Sequence, residues 1–230
     1  MKRRKIIIGL ASVLTLTVVG TLLYYNKATP ESMAIADDME EVGDGYRFTG
    51  SGATGFIIFA GAKADEKGYA YMAKLLKDAG HTVVIPKMPV HLSITGVRRG
   101  LKAMEDNPDV DKWVLIGHSL GGLPISQIAA KEPPALEGIV YLASYLVVDL
   151  SHLDISALRI TANRDQIMSR DRLNANLSYL PARSKSVEIE GNHQGFGAYE
   201  SLRSDGETTA TWQEQQEETV KLITEFFGNK

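Results

Sequence analysis

Ser119 stands in Gly117-His118-Ser119-Leu120-Gly121, between an apolar run, Trp113 to Gly117, and a helix-like stretch, Leu123 to Lys131. Strand, sharp turn and helix with a serine at the apex suits nucleophilic chemistry. Glycines on both sides let the chain turn tightly, because a side chain there would collide with the neighbouring strand and helix. The hydroxyl is then exposed at the start of a helix. There the backbone N–H of Leu120 and the positive helix end can stabilise a developing oxyanion. A Gly-rich turn that merely contains serine fits the same five letters. The strand before and the helix after favour the chemical reading.

A serine hydroxyl is a weak nucleophile until a base takes its proton and a third group orients that base. The chain holds five histidines, so the candidates for base can be enumerated. His118 adjoins the serine and should point away across the turn, packing beneath or beside it. His81 sits at the entry of a strand, His91 just after a strand end, and His152 in a polar loop. His193, in Gly191-Asn192-His193-Gln194-Gly195, directly follows the last expected strand. Sites in open parallel sheets gather at the carboxyl ends of strands, which favours His193. The acid should lie in the loop after the preceding strand, where Ala162-Asn163-Arg164-Asp165 offers Asp165. Asp165 could instead only cap the segment that follows. Asp149 and Asp154 are the alternatives, and the order Ser, Asp, His selects Asp165 first. A second oxyanion donor belongs after the first central strand, in Gly61-Ala62-Lys63, with the Ala62 N–H as candidate. Lys63 either projects over the site mouth or is a solvated loop lysine.

The elements that must position these groups alternate. Asp44–Thr49 reads as an edge strand and Gly55–Ala60 as a buried one. Asp65–Ala79 reads as a helix with Asp65 as N-cap and Gly80 as its stop. Thr82–Ile85 is a strand halted by Pro86 and Pro89, and Ser93–Glu105 a helix broken at Asn107-Pro108. After the serine come strands Gly138–Ala143, Ala157–Thr161 and Ser186–Ile189, then a terminal helix, Thr211–Phe227. Strands separated by helices imply an α/β fold, a mostly parallel sheet with helices on both faces.

Four segments in order, Gly61-Ala62-Lys63, Pro86-Lys87-Met88-Pro89, Gly117 to Gly122 and Gly191-Asn192-His193, resemble the α/β-hydrolase superfamily. The likeness is strongest to a compact bacterial group of serine hydrolases and esterases, and it covers Gly43 to Gly228. The resemblance implies Ser119 as nucleophile, Asp165 as acid, His193 as base, and Leu120 with Ala62 as oxyanion hole. It implies no metal and no organic cofactor. Ala143 to Ala157 is too short for the large cap domain that gives lipases an acyl tunnel, so a shallow, open site is expected. Met88, Val90, Tyr145, Leu146 and Phe196 are candidates for its walls.

The chain has 230 residues, suited to one domain plus a small appendage. A net charge of −3 without a basic stripe in the folded part argues against nucleic-acid binding. The absence of cysteine excludes disulfides and thiolate nucleophiles, including those of dienelactone-hydrolase relatives. Lys2, Arg3, Arg4 and Lys5 precede an uncharged run, Ile6 to Tyr25, of about twenty residues, long enough to span a bilayer as a helix. Residues 1–26 are therefore expected to be a membrane anchor with the domain outside the cytoplasm, the alternative being a cleaved signal peptide and secretion. Residues 27–42 are polar and acidic and read as a linker with some helix near Ile35–Glu41, leaving 43–230 as the hydrolase domain. The expected activity is cleavage of small or short-acyl carboxylic esters through an acyl-serine intermediate. A non-catalytic binding domain, or acyl transfer or thioester cleavage on the same scaffold, are the alternatives. Oligomeric state leaves no mark in the sequence.

Overall fold

Residues 25–200 and 204–228 are described in the computed structural model. The expected membrane anchor, residues 1–26, lies outside them apart from Tyr25 and Asn26. Among the described residues no helix is long and apolar enough to cross a membrane.

The apolar runs become β1 (Glu40–Val42), β2 (Gly45–Phe48), β3 (Thr54–Phe59), β4 (Thr82–Pro86), β5 (Lys112–His118), β6 (Leu136–Leu142), β7 (Ser156–Ala162) and β8 (Arg183–Ile189). They form one sheet in the order β1-β2-β4-β3-β5-β6-β7-β8. β2 pairs antiparallel with β1 and β4, and the remaining pairings are parallel. Side chains alternate across the sheet, as a period of two requires. Phe56, Ile58, Val114, Ile116 and Val140 face one core cluster, and Ile57, Phe59, Trp113, Leu115 and Ile139 the other. Full burial of each such side chain contributes about 1.5–3 kcal/mol.

The helices are α1 (Pro30–Ala36), α2 (Ala70–Asp78), α3 (Val97–Glu105), α4 (Gly122–Ala129), α5 (Arg170–Leu173) and α6 (Trp212–Phe227). Met72 and Leu76 of α2 and Val220, Ile223 and Phe227 of α6 cover the first face. Ala103 of α3 and Ile125 and Ile128 of α4 cover the second. Helices on both faces of a mostly parallel sheet are the expected α/β architecture, and the β6–β7 connection holds no cap domain.

Two expected helices are interrupted. Asp65 does cap its segment, accepting from the Lys67 N–H at 3.0 Å, but Glu66–Tyr69 is a 3-10 turn before α2 starts. Gly68 lies in that turn and leaves room for the Tyr199 ring. Ser93–Thr95 is likewise a 3-10 turn, and α3 begins only after Gly96, where Met88 and Phe59 crowd the backbone. β8 runs three residues further upstream than the apolar pattern indicated, because its exposed edge needs few apolar side chains.

Residues 27–42 are not a linker. Thr29 caps α1, its hydroxyl accepting from the Ser32 N–H at 3.3 Å, and Ser32 Oγ donates to the Lys67 carbonyl at 2.6 Å. Ala36 and Met39 enter the core, and β1 extends the sheet through a hairpin turned at Gly43 (φ +54). The acidic composition misled because Glu31, Asp37, Asp38 and Glu40 stay on the solvent side while Ser32, Ala36 and Met39 between them are buried. The folded body thus begins well before Gly43.

Candidate active site

β5 ends at His118, a 3-10 turn covers Ser119–Gly121, and α4 follows at once. Ser119 sits at φ +52, a left-handed conformation that costs about 1–3 kcal/mol away from glycine. Its surroundings impose it. A Cβ on Gly117 would fall 2.5 Å from the Gly121 carbonyl oxygen, and one on Gly121 would overlap the Phe59 carbonyl oxygen of β3. Ser144 Oγ donates to the Ser119 carbonyl at 2.7 Å and ties the turn to the end of β6. Gly121→Ala is therefore expected to lower stability by about 3 kcal/mol, which at this chain length is a fall in Tm of roughly 6–12 °C. A thermal melt within about 2 °C of wild type would show that the turn has more room than this.

β7 and β8 deliver the carboxylate and the imidazole. Asp165 Oδ2 lies 2.9 Å from His193 Nδ1, and both residues are buried, 7% and 5% exposed. Asp165 Oδ1 accepts from the backbone N–H groups of Ile167 and Met168, each at 2.9 Å. The capping role and the contact to histidine coexist, one oxygen for each. The two loops are stitched together, with Arg164 N–H donating to Gly191 O at 2.9 Å. Gln215 of α6 brackets Asn192, donating to its carbonyl at 2.9 Å and accepting from its N–H at 3.1 Å. Asp205 accepts from the Gln194 and Gln166 N–H groups, both at 3.0 Å.

Ser119 and His193 line the same cavity, about 60 Å³, together with Gly61, Ala62, His118 and Asn26. Ser119 and Ala62 also face an open cleft of about 400 Å³, walled by Leu120, Leu123, Tyr145, Val147 and Met168. The five residues singled out in the sequence, Ser119, Asp165, His193, Ala62 and Leu120, are thus gathered at the carboxyl ends of β3, β5, β7 and β8. A serine beside an imidazole that is held by a carboxylate is an arrangement able to perform acyl transfer. Of the expected walls, Tyr145 lines the cleft, whereas Met88 and Leu146 belong to the core and Phe196 packs on the His118 ring.

The other histidines are placed elsewhere. His81 contacts the Thr54 carbonyl at the opposite end of the strands, at 3.2 Å, and His152 lies at the surface. His91 Nδ1 is 2.9 Å from Glu66 Oε2, and Glu66 Oε1 accepts from the Met88 N–H at 2.8 Å. Asp149 caps the turn at Ser151, and Asp154 pairs with Arg183. Lys63 Nζ donates to the Val90 carbonyl at 3.4 Å, toward the β4 loop.

His118 packs beside the turn, its ring 4.6 Å from that of His193. Burial foremost, and then the His193 imidazole, push its pKa well below the ordinary range, so it is neutral. Tyr69, whose pKa burial raises to about 12, keeps its proton, and its hydroxyl is hydrogen-bonded to His118 Nδ1 at 2.6 Å. The Tyr69 oxygen in turn accepts from the Gly61 N–H at 2.9 Å, linking the loop before Ala62 to the serine turn. Tyr69 lies within the stretch that the sequence reads as a helix, and neither it nor Ser144 or Gln215 carried a signal for these contacts, because they depend on distant segments meeting.

A histidine held neutral in the folded state has a pH signature. The unfolded chain binds the proton near pH 6.5 and the folded one only further into acid, so stability is full above about pH 6.5 and falls below it. Half-buried His81 acts in the same direction. The urea midpoint of wild type is expected to drop between pH 7.5 and 5.0, and His118→Asn should flatten that drop. An equal drop in both proteins would contradict the assignment.

A profile of the alpha/beta hydrolase family matches residues 55–217. A solved CIB-like hydrolase from Thermoplasma acidophilum is similar in structure, with a TM-score of 0.63 at 16% identity, over 84% of this chain and 98% of that one. The alpha/beta hydrolase MGS-MChE2, from a sediment metagenome of the Mar Chica lagoon in Morocco, gives 0.62 at 16% identity over the same shares. Est1E from Butyrivibrio proteoclasticus gives 0.59 at 13% identity, over 83% and 98%. No curated protein matches the chain. At such identities the solved structures speak for the fold, and the profile, spanning more than half the sequence, speaks for descent: the chain belongs to the alpha/beta hydrolase family.

Proposed function

We propose that this protein is a serine hydrolase that cleaves carboxylic esters through an acyl-serine intermediate. The observation that carries the reading is the strained Ser119 sharing a cavity with His193, which Asp165 holds at 2.9 Å. Asp165 on Nδ1 keeps the His193 proton on that nitrogen and leaves Nε2 free to accept. Ser119 Oγ adds to the ester carbonyl as its proton passes to Nε2. The Ala62 and Leu120 N–H groups receive the oxyanion. Collapse breaks the acyl–alkoxy bond, and the alcohol leaves with the proton from His193. Water repeats the sequence on the acyl-enzyme and releases the acid, returning Ser119 to its starting state.

The cleft walled by Leu120, Leu123, Val147 and Met168 supports an apolar acyl group. Short-acyl esters assayed beside thioester and peptide panels test the reaction class. Ester turnover at least tenfold above the other two in kcat/KM is the expected outcome, and thioester or peptide preference contradicts it.

The same proposal places the protein at a membrane. Lys2 to Lys5 followed by the Ile6–Tyr25 run support an anchor with the site on the far side. Val90, Ile94 and Val147, exposed apolar residues, follow the carboxyl ends of β4 and β6, on the side of Ser119. Native protein is expected in the salt-resistant membrane fraction at the full 25.1 kDa. A soluble, shortened protein contradicts the anchor.

A further inference from the structure

Tyr25 to Thr29 form a strap between the two loops that flank Ser119. Asn26 N–H donates to the Lys63 carbonyl at 2.7 Å, and Asp65 N–H donates to the Asn26 carbonyl at 2.9 Å. That pairing holds the loop carrying Gly61 and Ala62. On the other side, Thr29 N–H donates to Ala198 O and Glu200 N–H to Lys27 O, both at 3.0 Å, holding the chain that follows His193. The Tyr25 ring stacks on His91 at 4.0 Å. These contacts account for the position of the strap. None of them uses the Asn26 side chain.

That side chain carries one of the cavity's unpartnered buried atoms, beside His118 Nε2 and the Tyr199 hydroxyl. Asn26 is 5% exposed, lines the cavity shared by Ser119 and His193, and its Oδ1 is buried with no hydrogen-bond partner among the described residues. An unmatched buried amide oxygen destabilises the fold, a cost an apolar residue would avoid. The backbone does not require asparagine either, since Asn26 is not among the positive-φ residues. A polar group kept unpaired beside a nucleophile is explained by a ligand that pairs with it.

Resting on the serine-hydrolase reading, we propose that Asn26 binds the substrate, its Oδ1 accepting a hydrogen bond from a free hydroxyl on the alcohol half of the ester. The two hollows meeting at Ser119 differ in kind. The open cleft is apolar and suits the acyl half, whereas the smaller cavity mixes Asn26, His118, His193 and Gln194 with Ala64 and Ile167 and is about half polar. The substrate class is therefore an apolar acyl group esterified to a polyol that retains a hydroxyl next to the ester. The N-terminal strap is part of the site.

The test compares two esters of one acyl group, a glycerol monoester and the ethyl ester, on full-length wild type, Asn26→Leu and Asn26→Ala. The rate of fluorophosphonate labelling reports whether the site is folded. Wild type should prefer the glycerol ester. Both variants should lose roughly tenfold in kcat/KM on it while changing less than about threefold on the ethyl ester and in labelling rate. Equal losses on both esters, no loss on either, or wild-type preference for the ethyl ester overturns the proposal while leaving the hydrolase reading intact. Wild type that neither labels nor hydrolyses either ester overturns both.

Discussion

Ser119→Ala should lower kcat for ester hydrolysis by roughly 10⁴- to 10⁶-fold while leaving the fold intact. The loss is large because, among the described residues, neither neighbouring serine can stand in for the hydroxyl. Ser126 Oγ is fully buried and bonded to the Gly122 carbonyl at 2.7 Å, and Ser144 Oγ is committed to the Ser119 carbonyl. Neither is free to attack. Alanine adopts the same φ +52 at similar cost to serine, and the Ser144 bond is made to backbone and survives. Tm should accordingly stay within about 2–4 °C of wild type, the equivalent of 1 kcal/mol. Residual turnover within tenfold of wild type would remove Ser119 from the chemistry.

Asp165→Asn is the second large effect, expected at roughly 10³- to 10⁴-fold in kcat. Asparagine keeps an oxygen for the Ile167 and Met168 N–H groups, so the loop stays in place. What changes is the partner of His193. An amide N–H directed at Nδ1 makes that nitrogen an acceptor and moves the imidazole proton to Nε2, where it blocks uptake of the serine proton. Asp165→Ala differs in an informative way. It removes the loop bonds as well, so it should cost stability by about 1–3 kcal/mol in addition to rate. If Asp165→Asn keeps more than a tenth of wild-type kcat while Asp165→Ala is merely less stable, Asp165 is only a cap.

The parts of this molecule that were legible in the sequence are those written in local pattern. β3, β5 and β6 are built on continuous apolar runs, β7 on one interrupted by Arg159, and α6 is announced by Thr211, whose capping box with Glu214 is present in the structure. Ser119, Asp165 and His193 could be picked because each follows a strand end, and a parallel sheet brings such ends together. The Tyr69–His118–Gly61 link was invisible, since it joins residues far apart in the chain through side-chain atoms. The strap was misjudged for a different reason. Asn26 falls between an apolar run and an acidic stretch, a composition that reads as the edge of an anchor and a linker. The strap's contacts, from Asn26 to Lys63 and Asp65 and from Lys27 and Thr29 to the chain near Ala198, come from backbone groups, which every residue has. A fragment begun at Gly43, where the sequence placed the domain boundary, would lack the strap, Asn26 and the α1 packing on the core.

Full-length protein treated with a fluorophosphonate probe, then digested and mapped by mass spectrometry, tests the central claim most directly. The account predicts one adduct, on Ser119, absent in Ser119→Ala and slowed at least a hundredfold in His193→Ala. Folded wild type that takes up no probe, or carries it on another serine, would contradict an activated Ser119 and leave a binding domain as the better reading of the same fold.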